Sequence, residues 1–201
     1  MKFRESLKEK VSGIFSVFKA SEDGAGLQKI IFSLIGVVIV FIILVGMYWS
    51  REPAEFSVAQ NTAKKLATAG NQYVVGAATT GGFTHLVGAA TTAVLIRVSE
   101  TLLEKPGGYL TNDVIPPGVY LDNMPNWEFG ALVQVRDLSR AFRESFSRSQ
   151  SQTTEDPDLI VSEPQFHFDN DSWLFPPTEV EYNEAIDSLN SYLTRISDPQ
   201  N

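Results

Sequence analysis

His85 and His167 are the only imidazoles among the 201 residues, so any histidine-based metal site or general base has to be built around one of them. His167 is followed by Asp169 and Asp171, which occupy the first and third positions of a calcium-type loop. The glycine at position six and the glutamate at position twelve that shape and close such a loop are absent. We therefore read the segment as a turn in which Asp and Asn side chains bond the backbone, with no metal site. Cysteine is missing altogether, which removes thiol chemistry and thiolate-zinc sites.

Nucleophilic and acid–base chemistry finds no clear home either. There is no Gly-x-Ser-x-Gly elbow, and no Ser, His and Asp grouping stands out. Carboxylates are plentiful, for example Glu100, Glu104, Glu128 and Asp137. Hydrolysis of a sugar bond needs two of them facing each other across a cleft, about 5 to 9 Å apart, and spacing alone pairs none. No catalytic set and no cofactor is assigned.

Two groupings are candidate binding residues. Arg136, Arg140 and Arg143 stand at i, i+4 and i+7, so one helix face carries all three, and forked guanidiniums suit phosphate or carboxylate. Internal ion pairs with Asp137, Glu144 and the acidic stretch from Glu155 to Asp158 are the first expectation; an anionic lipid or glycan ligand is the second. Trp127 and Trp173, with Phe166, Phe168 and Phe175, are expected in the core first and on a carbohydrate-stacking surface second.

The elements that position these residues are helical. Thr91, Leu95, Val98 and Leu102 share a face, and Pro106-Gly107-Gly108 ends that helix. Phe56, Ala59, Ala63 and Leu66 predict a shorter helix before it, ending at Gly70. A long helix is expected from Glu128, with Ala131, Val135, Leu138, Phe142 and Phe146 inward. Thr111 to Trp127 reads as a Pro-rich connector, Ser147 to Asp158 as a polar loop, and Glu163 to Pro177 as irregular. Thr178 with Glu181 three residues later predicts a capping box for a last helix, whose stripe is Tyr182, Ile186, Leu189, Leu193 and Ile196. No run of alternating strands appears. The fold class is all-α with long ordered loops.

Ile30 to Tyr48 holds nineteen residues without a charge, fourteen of them Leu, Ile, Phe or Val. At about 1.5 Å per residue this helix nearly matches a hydrocarbon core of about 30 Å. Tyr48 and Trp49 supply an aromatic belt at its exit. The 29 residues before it are too long for a signal n-region, and no small-x-small cleavage site follows. Six Lys or Arg precede the span and three follow within twenty residues, which places the N-terminus in the cytoplasm. Twenty acidic residues against ten basic ones follow the span, an excess that disfavours nucleic acid as a partner. Phe3, Leu7, Val11, Ile14 and Phe18 form an amphipathic stripe expected in the headgroup layer, followed by a turn at Ser21 to Gly26. A second uncharged stretch, Gly70 to Ile96, contains a repeat, VGAATT at Val75 to Thr80 and again at Val87 to Thr92. Its five glycines and five threonines favour a loop leading into a buried Ala-rich helix over a second span.

The run from Thr92 to Pro199, above all LDNMPNWEFG and SRSQSQ, together with the Arg51-Glu52-Pro53 after the span, resembles the domain of unknown function 2333 family of proteobacterial inner-membrane proteins. The resemblance implies a Gram-negative cell, a cytoplasmic N-terminus and a periplasmic helical domain, and supplies no catalytic residues. It also implies relatives that continue past Asp198-Pro199; the first VGAATT copy departs from the pattern.

The sequence thus predicts residues 1–29 as a cytoplasmic amphipathic segment, 30–48 as a transmembrane helix and 49–201 as a periplasmic α-helical domain. The expected partners are the lipid bilayer and other envelope or membrane proteins. The expected role is a non-enzymatic scaffold or accessory subunit of a membrane complex; a carboxylate-dependent hydrolase of cell-wall glycan is the alternative.

Overall fold

A computed structural model describes residues 24–69, 88–146 and 155–198. Among them every regular element is a helix: α1 (Gly24–Trp49), α2 (Val58–Thr68), α3 (Ala89–Glu104), α4 (Asn123–Ala141), α5 (Pro157–Phe166) and α6 (Thr178–Ile196), with a short 3-10 turn at Gly118–Tyr120. The class is all-α, as the patterning predicts. The expected amphipathic segment at residues 3–18, the first VGAATT copy, His85 and the loop at 147–154 lie outside the described residues.

The chain divides into two compact units between Val45 and Gly46. The first contains most of α1, the one helix among the described residues long and apolar enough to cross a membrane, over Gly26–Trp49. Phe32, Val37 and Phe41 are each more than 60% exposed. The helix runs longer than the charge-free stretch alone suggests, starting inside the turn expected at Ser21 to Gly26.

The second unit starts with the last turn of α1 and contains all the other helices. There α3 is the central element, packed against α2, α4 and α6, while α5 packs on α4 and α6. Leu95 and Leu102 of the expected face are fully buried together with Ile96, whereas Thr91 is exposed, and Ala89 and Ala93 let neighbouring helices approach closely. The described part of the second uncharged stretch, Gly88 to Ile96, is therefore built into this core. Leu132 and Val135 of α4, Leu159 and Phe166 of α5, and Tyr182, Leu189 and Leu193 of α6 complete it. Edge-on aromatic contacts, Tyr109 against Tyr182 at 5.7 Å and Phe142 against Tyr192 at 6.2 Å, fix the packing. Asn61 of α2 donates to the Ala93 carbonyl at 2.8 Å, which closes the α2–α3 contact with a buried hydrogen bond.

Three local expectations change. Helix α4 begins at Asn123, five residues before Glu128, because Pro125 falls in its first turn, where amides have no intrahelical acceptor. Helix α5 replaces the end of the polar loop and the start of the irregular stretch. Asp156 caps it, accepting from the Asp158 and Leu159 amides at 3.0 and 3.3 Å, and Pro157 is pre-shaped for the first position. No capping box forms at α6. Thr178 is already the first helical residue, with Pro177 before it. Its buried hydroxyl instead lies 2.7 Å from the Asp169 carbonyl and 2.9 Å from that of Ser172, stitching down the preceding loop.

Asp156 also joins α5 to α6, because Arg195 donates to both of its oxygens and to Asp158. Burial alone would raise this carboxyl, yet the Arg195 guanidinium and the two amides hold it below the usual carboxylate range. A depressed acid stabilises the fold above its unfolded pKa of about 3.9, and that contribution is lost as pH falls through the folded value. Asp156→Ala is therefore expected to cost about 1 to 2 kcal/mol at neutral pH. Denaturant unfolding of the full chain in detergent should show the gap from wild type narrowing below about pH 3.9.

Candidate functional site

A buried ion pair joins α3 to α4. The side chains of Lys105 and Glu128 are both fully excluded from solvent and in direct contact. Lys105 follows the last residue of α3, where Pro106 stops the helix and Gly107 and Gly108, at φ +92° and +75°, reverse the chain. The reversal folds the Gly108 carbonyl back onto the ammonium, which also donates to Leu102 O at 2.9 Å. Its three N–H groups thus have three acceptors. Glu128 accepts from Lys105, from the Leu110 amide at 2.8 Å, and from the amide (2.7 Å) and hydroxyl of Thr111. Burial pulls the Lys105 ammonium below its ordinary range, opposed by the Glu128 carboxylate. Asp113 lies close by, raised by burial and then by Glu179 and Glu128. Glu128 is thus a structural carboxylate whose oxygens are already occupied.

The other carboxylates singled out from the sequence are dispersed. Glu100 pairs with Lys65, and Glu104 lies 3.8 Å from Arg97. Asp137 shares α4 with Glu128 but lies nine residues further on.

Arg136 and Arg143 turn to groups within the fold, while Arg140 stays half-exposed. Arg136 donates to the carbonyls of Phe166 and Phe168 at 2.7 and 2.8 Å, capping the end of α5, where carbonyls lack partners. Arg143 bonds Glu155 and Glu163 at 3.1 and 2.9 Å. Arg140 reaches Nε2 of His167 at 2.8 Å. Guanidinium only donates, so Nε2 accepts and the imidazole proton sits on Nδ1, 2.9 Å from the Glu163 carbonyl. Both ring nitrogens are engaged. Among the described residues no group of three His, Asp or Glu could hold a metal ion.

Trp127 and Trp173 part company. Trp127 packs against the core and lines an open groove of about 370 Å³ with Pro53 to Phe56, Val98 and Thr101. Glu55 is the one carboxylate on that lining. Trp173 is 54% exposed and Phe175 is 91% exposed, so neither is a core residue. Phe166 is fully buried and Phe168 is packed against the core. The loop bends back at Leu174 to Pro176, where Phe175 takes φ +44°, and the Ser172 hydroxyl bonds Pro176 O across the bend at 2.8 Å. A second apolar loop, Val114 to Leu121, exposes Ile115 and Tyr120 to 70% and 77%. Sequence reasoning passed over it because a Pro-rich connector carries no periodic signal.

Residues 22–201 match the model of a family described as an uncharacterized protein conserved in bacteria, DUF2333. The match takes in the whole of α1 as well as the helical unit, more of the chain than the quoted motifs cover. No curated protein and no solved structure matches the chain.

Removing one partner of the buried pair leaves the other charge without compensation, at a cost of about 3 to 5 kcal/mol. Lys105→Met is expected to lower stability by that amount. Adding Glu128→Gln to it should recover part of the loss, because no buried charge then remains. A double-mutant cycle on the full chain in detergent checks the coupling. Strictly additive single effects would mean that the two residues do not act as a pair.

Proposed function

The chain belongs to the DUF2333 family of bacterial proteins, and we propose that it is a single-pass membrane protein whose helical unit works as a non-enzymatic scaffold or accessory subunit in the bacterial envelope. The observation that carries the anchor is the surface of α1. From Gly26 to Trp49 Gly46 is the one buried residue, and the large apolar side chains stand exposed. A core helix of a soluble protein would bury them; a bilayer solvates them at no cost.

A cleaved leader would carry the same composition, and the end of α1 argues against it. A β-carbon added to Gly46 would stand 3.3 Å from Pro117 Cβ, so the helix backbone rests directly on that loop. Trp49 packs on the turn at Gly107, and Ser50 and Asn123 exchange hydrogen bonds at 3.3 and 3.5 Å. These residues are part of the helical unit's own packing, which supports an anchor that is retained. The Lys and Arg bias before the span favours a cytoplasmic N-terminus, a periplasmic helical unit and the inner membrane.

The scaffold reading rests on how the polar side chains are used. The buried and half-buried ion pairs tie one helix to another, and the groove beside Trp127 lacks the facing carboxylates that glycan hydrolysis needs. Mass spectrometry of the protein purified from membranes should find the chain uncleaved before Trp49. A phosphatase fused after Asn201 should be active, whereas cytoplasmic reporter activity there would reverse the orientation. Gentle solubilisation should bring down a stoichiometric partner; a chain that purifies alone would remove the subunit reading.

A further inference from the structure

The two exposed apolar loops are one construction. Asn112, just before the first, donates at 2.9 Å to the carbonyl of Ser172, the first residue of the second, and also to Glu179. Tyr109 reaches the Asn170 carbonyl at 3.1 Å, and the Thr178 amide and hydroxyl close on Ser172 from the other side. At about 3.5 Å per residue, Ile115 and Trp173 can lie no more than about 11 and 4 Å along the chain from this knot. Both loops are held firmly. Tyr120 and Leu121 amides turn back onto Pro117 and Gly118 carbonyls at 3.0 and 2.9 Å, and the Ser172 hydroxyl bonds Pro176 O at 2.8 Å. Gly118 is required there, since a β-carbon would fall 2.1 Å from the Asp113 carboxylate.

Neither Val114 to Leu121 nor Ser172 to Pro177 contains a charged residue, although the rest of the unit is rich in acids. Ile115, Tyr120, Trp173, Leu174 and Phe175 all point into solvent. The first loop also touches the anchor: Pro117 and Leu121 rest on Gly46, one turn before Trp49. Tyr48 and Trp49 mark the bilayer's interfacial layer, and the Arg51 guanidinium, 5.5 Å from the Tyr48 ring, marks its aqueous side.

We propose that these two loops form a lipid-docking edge, which inserts into the interfacial layer of the leaflet from which α1 emerges and fixes the helical unit against the bilayer. This rests on the reading of α1 as a membrane span. The occupant is the zwitterionic headgroup–acyl boundary. Trp, Tyr, Phe and branched aliphatics favour that layer, and the absence of Lys and Arg gives anionic lipid no special hold. Continuity with the exit turn of α1 decides for lipid over a protein partner, because the first loop is seated on that turn.

The chain has no cysteine, so single labels can be placed without altering the background. Full-length protein would carry one environment-sensitive fluorophore at Ile115→Cys, Phe175→Cys, Val38→Cys or the exposed Asp187→Cys, in phosphatidylcholine vesicles with nitroxide-bearing lipids. Insertion by roughly 5 to 10 Å predicts quenching at positions 115 and 175 about twofold or more above that at 187, little changed by salt. Position 38 reports the span itself. If 38 is quenched while 115 and 175 stay open to an aqueous quencher, the docking edge is wrong and the anchor stands. If 38 also escapes lipid quenching, the anchor fails with it. Shielding of 115 and 175 in native membranes but not in pure lipid would replace the bilayer with a protein partner and overturn the proposal.

Discussion

The Lys105–Glu128 pair is the contact on which the rest of the helical unit depends. Burying two charges is expensive, and it is tolerated here because every donor and acceptor on both groups is used. That full satisfaction has structural consequences. The ammonium requires the Gly108 carbonyl, so the chain must reverse at once after α3. The carboxylate requires the Leu110 and Thr111 amides, so the segment leaving the turn must pass along α4. Trp49 then rests on the turn and Asn112 continues from it. One ion pair therefore fixes the relation of α3 and α4, the turn on which Trp49 rests and the root of both exposed loops.

Periodicity made much of this legible. The stripe of α6 and the apolar run of α1 are strong signals, and one-sided burial imposes the first directly. Helix α2 instead buries Asn61, Thr62 and Leu66 with the expected Ala59 exposed, and α3 leaves the expected Thr91 exposed. Helix α5 was hidden since its inward positions are Leu159, Ser162 and Phe166, with a proline at 164. The signal that could have found it was Asp156-Pro157, an N-cap residue followed by a proline at the first helical position. The capping box at Thr178 misled for the opposite reason. The residue types fit, but the hydroxyl is held by carbonyls of a loop whose path the sequence does not show.

The candidate residues divide along the same line. The spacing of Arg136, Arg140 and Arg143 puts them on one face, but their partners come from α5 and the residues around it, the element that patterning missed. Glu128 looked like any other acid because its partner is 23 positions away beside a turn. Trp173 and Phe175 read as core because aromatics usually are. Their exposure follows from backbone geometry near two prolines, which hydrophobicity alone does not encode.

These placements leave an unusual division of labour. Arg136, Arg143, Lys105 and Glu128 are engaged by partners within the fold and tie its helices together, while large apolar side chains stand outside in two hydrogen-bonded loops. With twenty acidic residues against ten basic ones after Tyr48, this part of the chain gains nothing from approaching an anionic surface. The two loops carry no charged side chain and expose Ile115, Tyr120, Trp173, Leu174 and Phe175, so whatever they meet is met by apolar contact.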